Sequence, residues 1–563
     1  MKNRKKLSIG NVVIILLLNI SIVGCTSTLN LHQNLQVNIE DFTYSTFLGG
    51  DDSPYSEDNI EDVIKDVTTD SQENIIVTGN TLSSNFPVMN AFQDTFAGGG
   101  NDIHGAGGDA ILAKFDKDGQ LLWSTFLGGN NIDGGICVKV IESDEIIVTG
   151  TTKSNDFPTT DDAYQKDYSS NYDIFITKFS SNGSLIYSSF LGASGDDTIY
   201  SFDLDSSGNL IISGRTTSAN FPVTTDADQS VFGGGADGFF MRLSPNCTTI
   251  LYSTFLGGSN NEGINEITID TQGNIIVIGS TMSSNFPITT DAYQSSISST
   301  HSDNFIAIYN SSGQMTYATY FGGSDSDHCW GLTTDSVGNI IIAGQTFSAD
   351  FPTTNAWKAN YNESMVDGFV TKFSADGQEL IFSSYFGGSG WDVVLNLNVD
   401  SNDNIIVSGY ADIYPSGFPI LDAFQEEIRG RCDIVIMILS PNGQPLFGTY
   451  LGGEGIDQPW NQYLINDYLY IVGSTESGDF FTTSDAYQQT ISGRSDGFLF
   501  RFDIGSYLAG QTAETTESET TTSFTSSTET TESENTTSFE LNIVFAGLLF
   551  VLGIGSRIRA RRE

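Results

Sequence analysis

Fourteen carboxylates recur in this sequence at two fixed places, and a carboxylate at a fixed place can ligate a cation, hold a basic ligand or accept backbone hydrogen bonds. The first set stands five residues after the first glycine of a recurring Gly-Gly step or its near relative: Asp133, Asp197, Glu262, Asp327, Asp392 and Asp457. In the first copy eight extra residues, around positions 52–58, displace the equivalent acid to Asp62. The second set opens a later apolar run: Asp109, Asp173, Asp237, Asp303, Asp367, Asp433 and Asp496. Like charges gathered in a ring repel unless cations or donors satisfy them. One reading is therefore a cation-binding or basic-ligand-binding face. The other is that each acid accepts main-chain N–H bonds where the chain enters a strand. Repetition in every copy favours the second, since a site needs only a few copies to deviate. No twelve-residue calcium loop with its terminal Glu is present. No cofactor or metal site is expected, and calcium is the one ion the face could take, with Asp62 and its longer loop the place for it.

Other chemistry is sparse. Four histidines are scattered, and Cys137, Cys247, Cys329 and Cys432 fall in four different copies without metal-ligand spacing, as buried free thiols would. No Ser-His-Asp order, metal triad or phosphate loop occurs, so no catalytic residue is assigned. The copies that break the pattern are the first, with its acidic loop and a Gly-rich insert at 98–108 holding His104, and the fifth to seventh, which carry Trp330, Trp391 and Trp460.

The elements that must position these residues come from one repeated unit. An aromatic-rich run closing on glycine recurs at Gly49, Gly128, Gly192, Gly257, Gly322, Gly387 and Gly452, at intervals of 64 or 65 residues after a first interval of 79. Such regularity marks an array of one supersecondary unit. Each copy holds four strand-like runs, seen in the fourth at 264–270, 274–279, 305–309 and 315–320. Turns such as DTQGN place glycine where positive φ is needed. A longer loop between the second and third runs carries Phe-Pro (Phe86, Phe157, Phe221, Phe286, Phe351, Phe418; Phe480-Phe481 in the last copy), followed by TTDAYQ-like segments read as a single capped helical turn.

Seven four-stranded units that cannot bury both faces alone predict an all-β fold, a seven-bladed β-propeller of antiparallel blades. The array enters at a fourth-type run (42–48) and leaves after a third-type run (498–502), so the first strand should complete the last blade. First and third strands then run the same way, which puts both acid sets and the long loops on one face. The second set should lie about two strand spacings, roughly 9.6 Å, farther from the axis. The tryptophans should stand near the axis on that face, where they could stack on sugar rings or plug the channel mouth. The runs YSTFLGG, TIDTQGNIIVIGST, NFPITTDAY and DNFIAIYN resemble the SBBP repeat family of seven-bladed propellers over roughly residues 42–503. That resemblance implies a propeller on a secreted or surface protein and implies no activity.

The flanks differ in composition. Residues 1–25 read as an export signal, a basic start followed by a short apolar core, and Ile22-Val23-Gly24-Cys25 resembles a lipobox. The alternatives are lipidation at Cys25, an ordinary cleaved signal, or an uncleaved anchor. A linker at 26–40 leads to the propeller at 41–505. Residues 506–538 are a Thr/Ser/Glu-rich stalk unable to bury enough to fold. An apolar segment at 539–556 is either a transmembrane helix or a sorting tail, and the basic tail at 557–563 would stay inside. The formal charge of −46 argues against nucleic acid as a partner. The expectation is a membrane-anchored monomer, displayed outside the cell, N-glycosylated at sequons such as Asn182, Asn246 and Asn310. It would bind a glycan or protein without catalysis. The rival expectation is a propeller hydrolase or lyase acting on polysaccharide.

Overall fold

The computed structural model describes residues 42–507, apart from 53–60, 101–106, 170, 299–300, 362–365, 413–417 and 506. Export signal, Cys25, linker, stalk, apolar segment and basic tail all lie outside the described residues, as do His104 and most of the first copy's acidic loop. Within them, no helix is long and apolar enough to cross a membrane.

Each repeat folds as one antiparallel four-stranded blade. In the first, Asp62–Thr69, Ile75–Thr81, Asp109–Phe115 and Leu121–Leu127 pair in that order. The second strand is buried along its whole length in blades one and two, and at all but one or two positions in the other blades, because neighbouring blades cover both its faces. That is why it reads as a continuous apolar run rather than an alternating one. The seven inner strands, the first of each blade, pack on one another in a closed cycle. Closure occurs as the sequence requires. Phe42–Leu48 pairs antiparallel with Asp496–Asp503, Phe42 facing Phe502 and Leu48 facing Gly497, as the outer strand of blade seven.

Two sets of contacts lock neighbouring blades at their tight-turn ends and their loop ends. At the tight-turn end, an aromatic on each outer strand reaches the next blade's turn between third and fourth strands. Tyr44 donates its hydroxyl to Gly119 O at 2.7 Å, Trp123 its Nε1–H to Ser181 O at 3.1 Å, and Tyr317 its hydroxyl to Gly377 O at 2.6 Å. A positive φ is needed in that turn, and glycine supplies it except in blade three, where Cys247 adopts φ +61° and takes the Tyr187 hydroxyl on its carbonyl. Gly119 has φ +83°, and a Cβ there would sit 2.0 Å from the Tyr44 ring. Blade seven has no such turn, since its third strand is followed by the chain's exit. There Tyr507 takes the place, its ring 5.0 Å from Phe447.

The TTDAYQ segments are not helical. In blades two, three, four and seven the segment makes a turn, as from Ala163 N to Thr160 O at 3.2 Å, and the glutamine carbonyl then accepts an N–H of the blade's outer strand, as Gln165 O does from Phe190 N at 3.1 Å. The glutamine decides this: it is held at the blade junction described next, which a helical turn would not allow.

Candidate functional site

The loop ends of the blades hold both acid sets, and the structure places them as seven junctions between blades rather than as an open face. Every inner acid is buried and accepts a main-chain N–H from the second residue of the Gly-Gly step. Gly50, Gly129, Ala193, Gly258, Gly323, Gly388 and Gly453 donate to Asp62, Asp133, Asp197, Glu262, Asp327, Asp392 and Asp457 at 2.6–2.9 Å. Most also take hydroxyls from a threonine and a serine at the end of the second strand, such as Thr216 and Ser218 on Asp197. Asp392 instead faces Ala411.

The outer acids accept N–H groups of the preceding loop, as from Ser169 to Asp173, Gly233 to Asp237 and Ser298 to Asp303 at 2.6–2.8 Å. The glutamine that recurs in six of the seven TTDAYQ-like segments bridges to several of them. Gln229 donates to Asp237 at 3.0 Å while its Oε1 accepts Gly257 N–H at 3.0 Å, and Gln294, Gln425 and Gln488 repeat this on Asp303, Asp433 and Asp496. Lys358 replaces glutamine in blade five. It binds Asp367 at 3.0 Å and, having no acceptor for an N–H, takes the carbonyl of Gly387 at 2.9 Å; Gly387 adopts φ +134°.

An outer acid of one blade and the inner acid of the next straddle a single glycine. A Cβ on Gly257 would lie 2.6 Å from Asp237 Oδ1 and 2.9 Å from Glu262 Oε2. The expected separation by two strand spacings therefore holds only within a blade; across blades the two rings interlock. Burial, reinforced by the facing acid, pushes Asp109 and Asp496 up to about 8. Burial likewise raises Asp62, Asp133, Asp327 and Asp392 to about 7, and Asp237 and Asp457 to about 6, against backbone and hydroxyl donors that pull the other way. Among the described residues no group of three or more His, Cys, Asp or Glu is placed to hold a metal ion. Asp62 has its oxygens taken by Gly50, Thr81 and Ser83.

The concave site lies elsewhere, in the central channel, a cavity of about 1360 Å³ lined by all seven inner strands. Each of those strands slips register by one residue three positions after its acid, a β-bulge. A bulge bends the strand and re-aims a side chain. The seven residues so placed are Lys65, Ile136, Tyr200, Asn265, Trp330, Leu395 and Trp460, all on the cavity wall. Tyr200, Trp330 and Trp460 are each 38% exposed, an unusual state for large aromatics inside a channel. Trp330 lies stacked against His328 at 6.2 Å, and Lys65 Nζ stands 5.4 Å over Trp460. Trp391 is outside the cavity, edge-on to Phe347 at 6.0 Å, so two of the three tryptophans line the cavity and the third does not. Of the inner acids only Glu262 contributes to the lining.

One to three residues further along, a polar belt crosses blades seven to four. Asn461 donates to Asp66 at 2.8 Å, and Val138 N–H donates to its other oxygen at 2.6 Å. Lys139 pairs with Asp203 at 3.1 Å, and Ser201 donates to Glu266 at 2.5 Å. Burial pushes Asp66 and Glu266 up to about 7; burial lowers Lys139, but the charge of Asp203, then those of Asp66 and Glu266, raise it on balance. The four remaining cysteines are free and buried, Cys137 on the cavity wall. The bulged ring escaped sequence reasoning because its seven members share no residue type. Its only signal is position, eight residues after each first glycine once the first copy's insertion is discounted.

Fold and channel together define a closed seven-bladed β-propeller with a lined central cavity. No family model matches the chain. Among curated proteins it is similar to the regulatory protein FlaEY of Caulobacter vibrioides, 22% identical over 334 residues, which cover 56% of this chain and 34% of that protein. It is also similar to an uncharacterized WD repeat-containing protein, L264, of Acanthamoeba polyphaga mimivirus, 26% identical over 391 residues, 63% of this chain and 24% of the relative. The chain thus spans about a third or less of the curated relatives it matches. Solved structures that align with it include a catalytically inactive virginiamycin B lyase from Staphylococcus aureus with quinupristin (9% identity, TM-score 0.38, covering 79% of this chain and 97% of that one). Another is the WD40 propeller domain of Doa1 (10% identity, TM-score 0.26, covering 65% and 93%). These likenesses are distant, and the fold assignment rests on the strand pairing itself.

Proposed function

We propose that this protein is a non-catalytic binding propeller of the SBBP type, exported and displayed at the cell surface, whose ligand enters the central channel. The observation that carries the reading is the bulged ring: one position per blade is aimed inward, and there the seven copies differ while their junctions agree. A shared scaffold presenting a varied concave surface is how a repeat protein makes a site. Export, lipidation at Cys25, anchoring by residues 539–556 and glycosylation belong to the same proposal and rest on the sequence of the flanks. The test is a binding screen of cell-envelope and extracellular polymers on residues 40–511, with and without calcium. Binding that survives the triple change Tyr200→Ala, Trp330→Ala, Trp460→Ala would remove the channel from the reading.

A second reading, a hydrolase or lyase acting on polysaccharide, is favoured by one observation. Asp66 and Glu266 are both pushed up to about 7 beside Lys139, in the range of a general acid or base at neutral pH. Release of reducing ends or unsaturated sugars from a polysaccharide panel, lost in Glu266→Gln, would install this reading over the first.

A further inference from the structure

One side chain of the channel wall carries a charge that the protein does not answer. On each second strand, the residue just before the one paired with the inner acid differs between copies. Six blades place Asn, Thr, Ser, Gln, Tyr and Ser there, and blade three places Arg215. Arg215 is the one position of its strand that is not fully buried, and it lines the cavity. Among the described residues its guanidinium has neither ion pair nor hydrogen bond, and its nitrogens stay accessible. The lysines on the same wall are engaged, Lys139 on Asp203 and Lys65 over Trp460. The nearby Glu262 carboxylate is held in its junction by Gly258 N–H and the Thr281 hydroxyl.

The space beside Arg215 comes from a missing side chain. One residue after the inner acid, blades one and six carry Val63 and Val393, whereas blade four has Gly263. A Cβ on Gly263 would lie 3.5 Å from the Tyr200 ring, 3.7 Å from Arg215 Cβ and 3.8 Å from Asn265 Oδ1, with nothing nearer. These three side chains edge one recess. Asn265 gives its Nδ2–H to Cys329 O at 2.8 Å, while its Oδ1 has no partner among the described residues and stays accessible. The loop residues on the cavity wall, such as Met282, His301 and Ser326, all belong to blades four and five, so the mouth is shaped beside this recess.

Each edge asks for a different part of a ligand. A guanidinium presents its N–H donors in a planar fork that matches a carboxylate. The amide oxygen takes a hydroxyl, and the half-exposed tyrosine takes a flat ring face. A single fork answers a single anion, and every further charge would meet Asp66, Asp203 and Glu266 on a wall whose lysines are engaged.

On the reading that the channel is the ligand site, we infer that the recess beside Gly263 binds an acidic sugar, its carboxylate on Arg215, a hydroxyl on Asn265 and its ring against Tyr200. The ligand is then a glycan with isolated acidic residues, neither neutral nor a polyanion. A peptide's carboxyl end would fill the fork, but it brings no flat face edged with hydroxyls.

The experiment uses residues 40–511, which hold every strand of the closed ring, read by calorimetry. The probes are a neutral glucose tetrasaccharide, the same molecule ending in one glucuronate, a tetrasaccharide of uronates throughout, and aromatic peptides with free carboxyl ends. Variants are Arg215→Gln, Gly263→Val, Tyr200→Ala and, as a control on the outer rim, Leu251→Ser, each checked by thermal melting. The singly acidic tetrasaccharide should bind about tenfold or more tighter than the neutral one. Arg215→Gln should abolish that advantage and leave neutral binding unchanged, Gly263→Val should weaken both, and the rim change neither. An acidic probe that binds no better than the neutral one, or keeps its advantage in Arg215→Gln, overturns the inference; weakening by Tyr200→Ala then still leaves the channel as the site. Tightest binding by the all-uronate probe, or binding of peptides alone, overturns it in the same way. Binding by no probe overturns the inference alone. Binding indifferent to Arg215, Gly263 and Tyr200 together overturns both the inference and the reading beneath it.

Discussion

Blade junctions and channel wall use the same strands in opposite ways. At the junctions the copies agree closely: a buried acid on each side of a glycine, an N–H donated to the inner acid and, in every blade but the fifth, a glutamine whose Oε1 takes the glycine N–H. Three residues along the same inner strands, the bulged position carries Lys, Ile, Tyr, Asn, Trp, Leu and Trp. The junction must fit its neighbour in every copy, so one good solution is repeated seven times. The wall touches only the lumen, so nothing in the ring requires its members to agree. In this molecule repetition marks what holds the ring together, and departure from repetition marks where something else can be held.

The comparison breaks most severely if closure is removed. Deleting residues 40–48 takes the outer strand from blade seven, removing Phe42 and Phe47 and exposing rings they cover, such as Phe500 and Phe480. The cost should exceed the roughly 3–5 kcal/mol of a single buried Phe→Ala change, and urea unfolding should show loss of one cooperative transition. A deletion that melts with the parent would mean the ring does not depend on this strand.

A smaller effect separates junction from wall directly. Gly257→Ala forces a methyl to within 2.6 Å of the Asp237 carboxyl, whereas a methyl on Gly263, facing the channel, meets nothing nearer than the Tyr200 ring at 3.5 Å. The first change should cost about 1–3 kcal/mol by overpacking. The second should stay within about 0.5 kcal/mol. Equal midpoints for the two variants would erase the distinction.

The junctions should also give the protein an inverted pH profile. Their carboxyls titrate at about 6 to 8 in the fold, against an ordinary value of 3.8. Between those limits the folded chain holds more protons than the unfolded one, so stability falls as pH rises. It should be highest near pH 4, decline through pH 8 and then level off, with Asp496→Asn flattening the upper part of the decline. Melting temperatures that climb from pH 4 to 8 would contradict this.

The least effect is expected where the junction itself departs from pattern. Lys358→Gln restores the bridging residue found in the other blades, and Gly387 can then return from φ +134°. A change of less than about 1 kcal/mol in either direction is expected, with Gly387→Ala tolerated better in the Lys358→Gln background than alone. A double-mutant cycle showing no coupling would separate the two residues.

Most of the ring was legible in the sequence because it is periodic. The glycine spacing set the blades, the end runs set the closure, and the Asp-first turns set the tight-turn face. What the sequence hid has two physical causes. The TTDAYQ glutamine looks like part of a local cap, yet its partners are a glycine and an acid more than a turn away, reached only after folding. The channel residues are set by a bulge, a slip of one residue in register that leaves no mark of composition. Trp330 and Trp460 could be picked out as tryptophans, but their separation from Trp391 could not.

Closure on blade seven also fixes how the propeller takes a load. Phe42 stands opposite Phe502, at the tight-turn end, so the chain enters and leaves side by side, away from the acid junctions at the loop end. A force pulling those two ends apart peels the clasp one hydrogen bond at a time from its frayed edge, the weakest direction for a strand pair. A force that draws both ends the same way, as a common tether would, does not act across the clasp at all. Strain entering at that end reaches blade seven first, while the other mouth of the channel lies at the opposite, loop end of the strands.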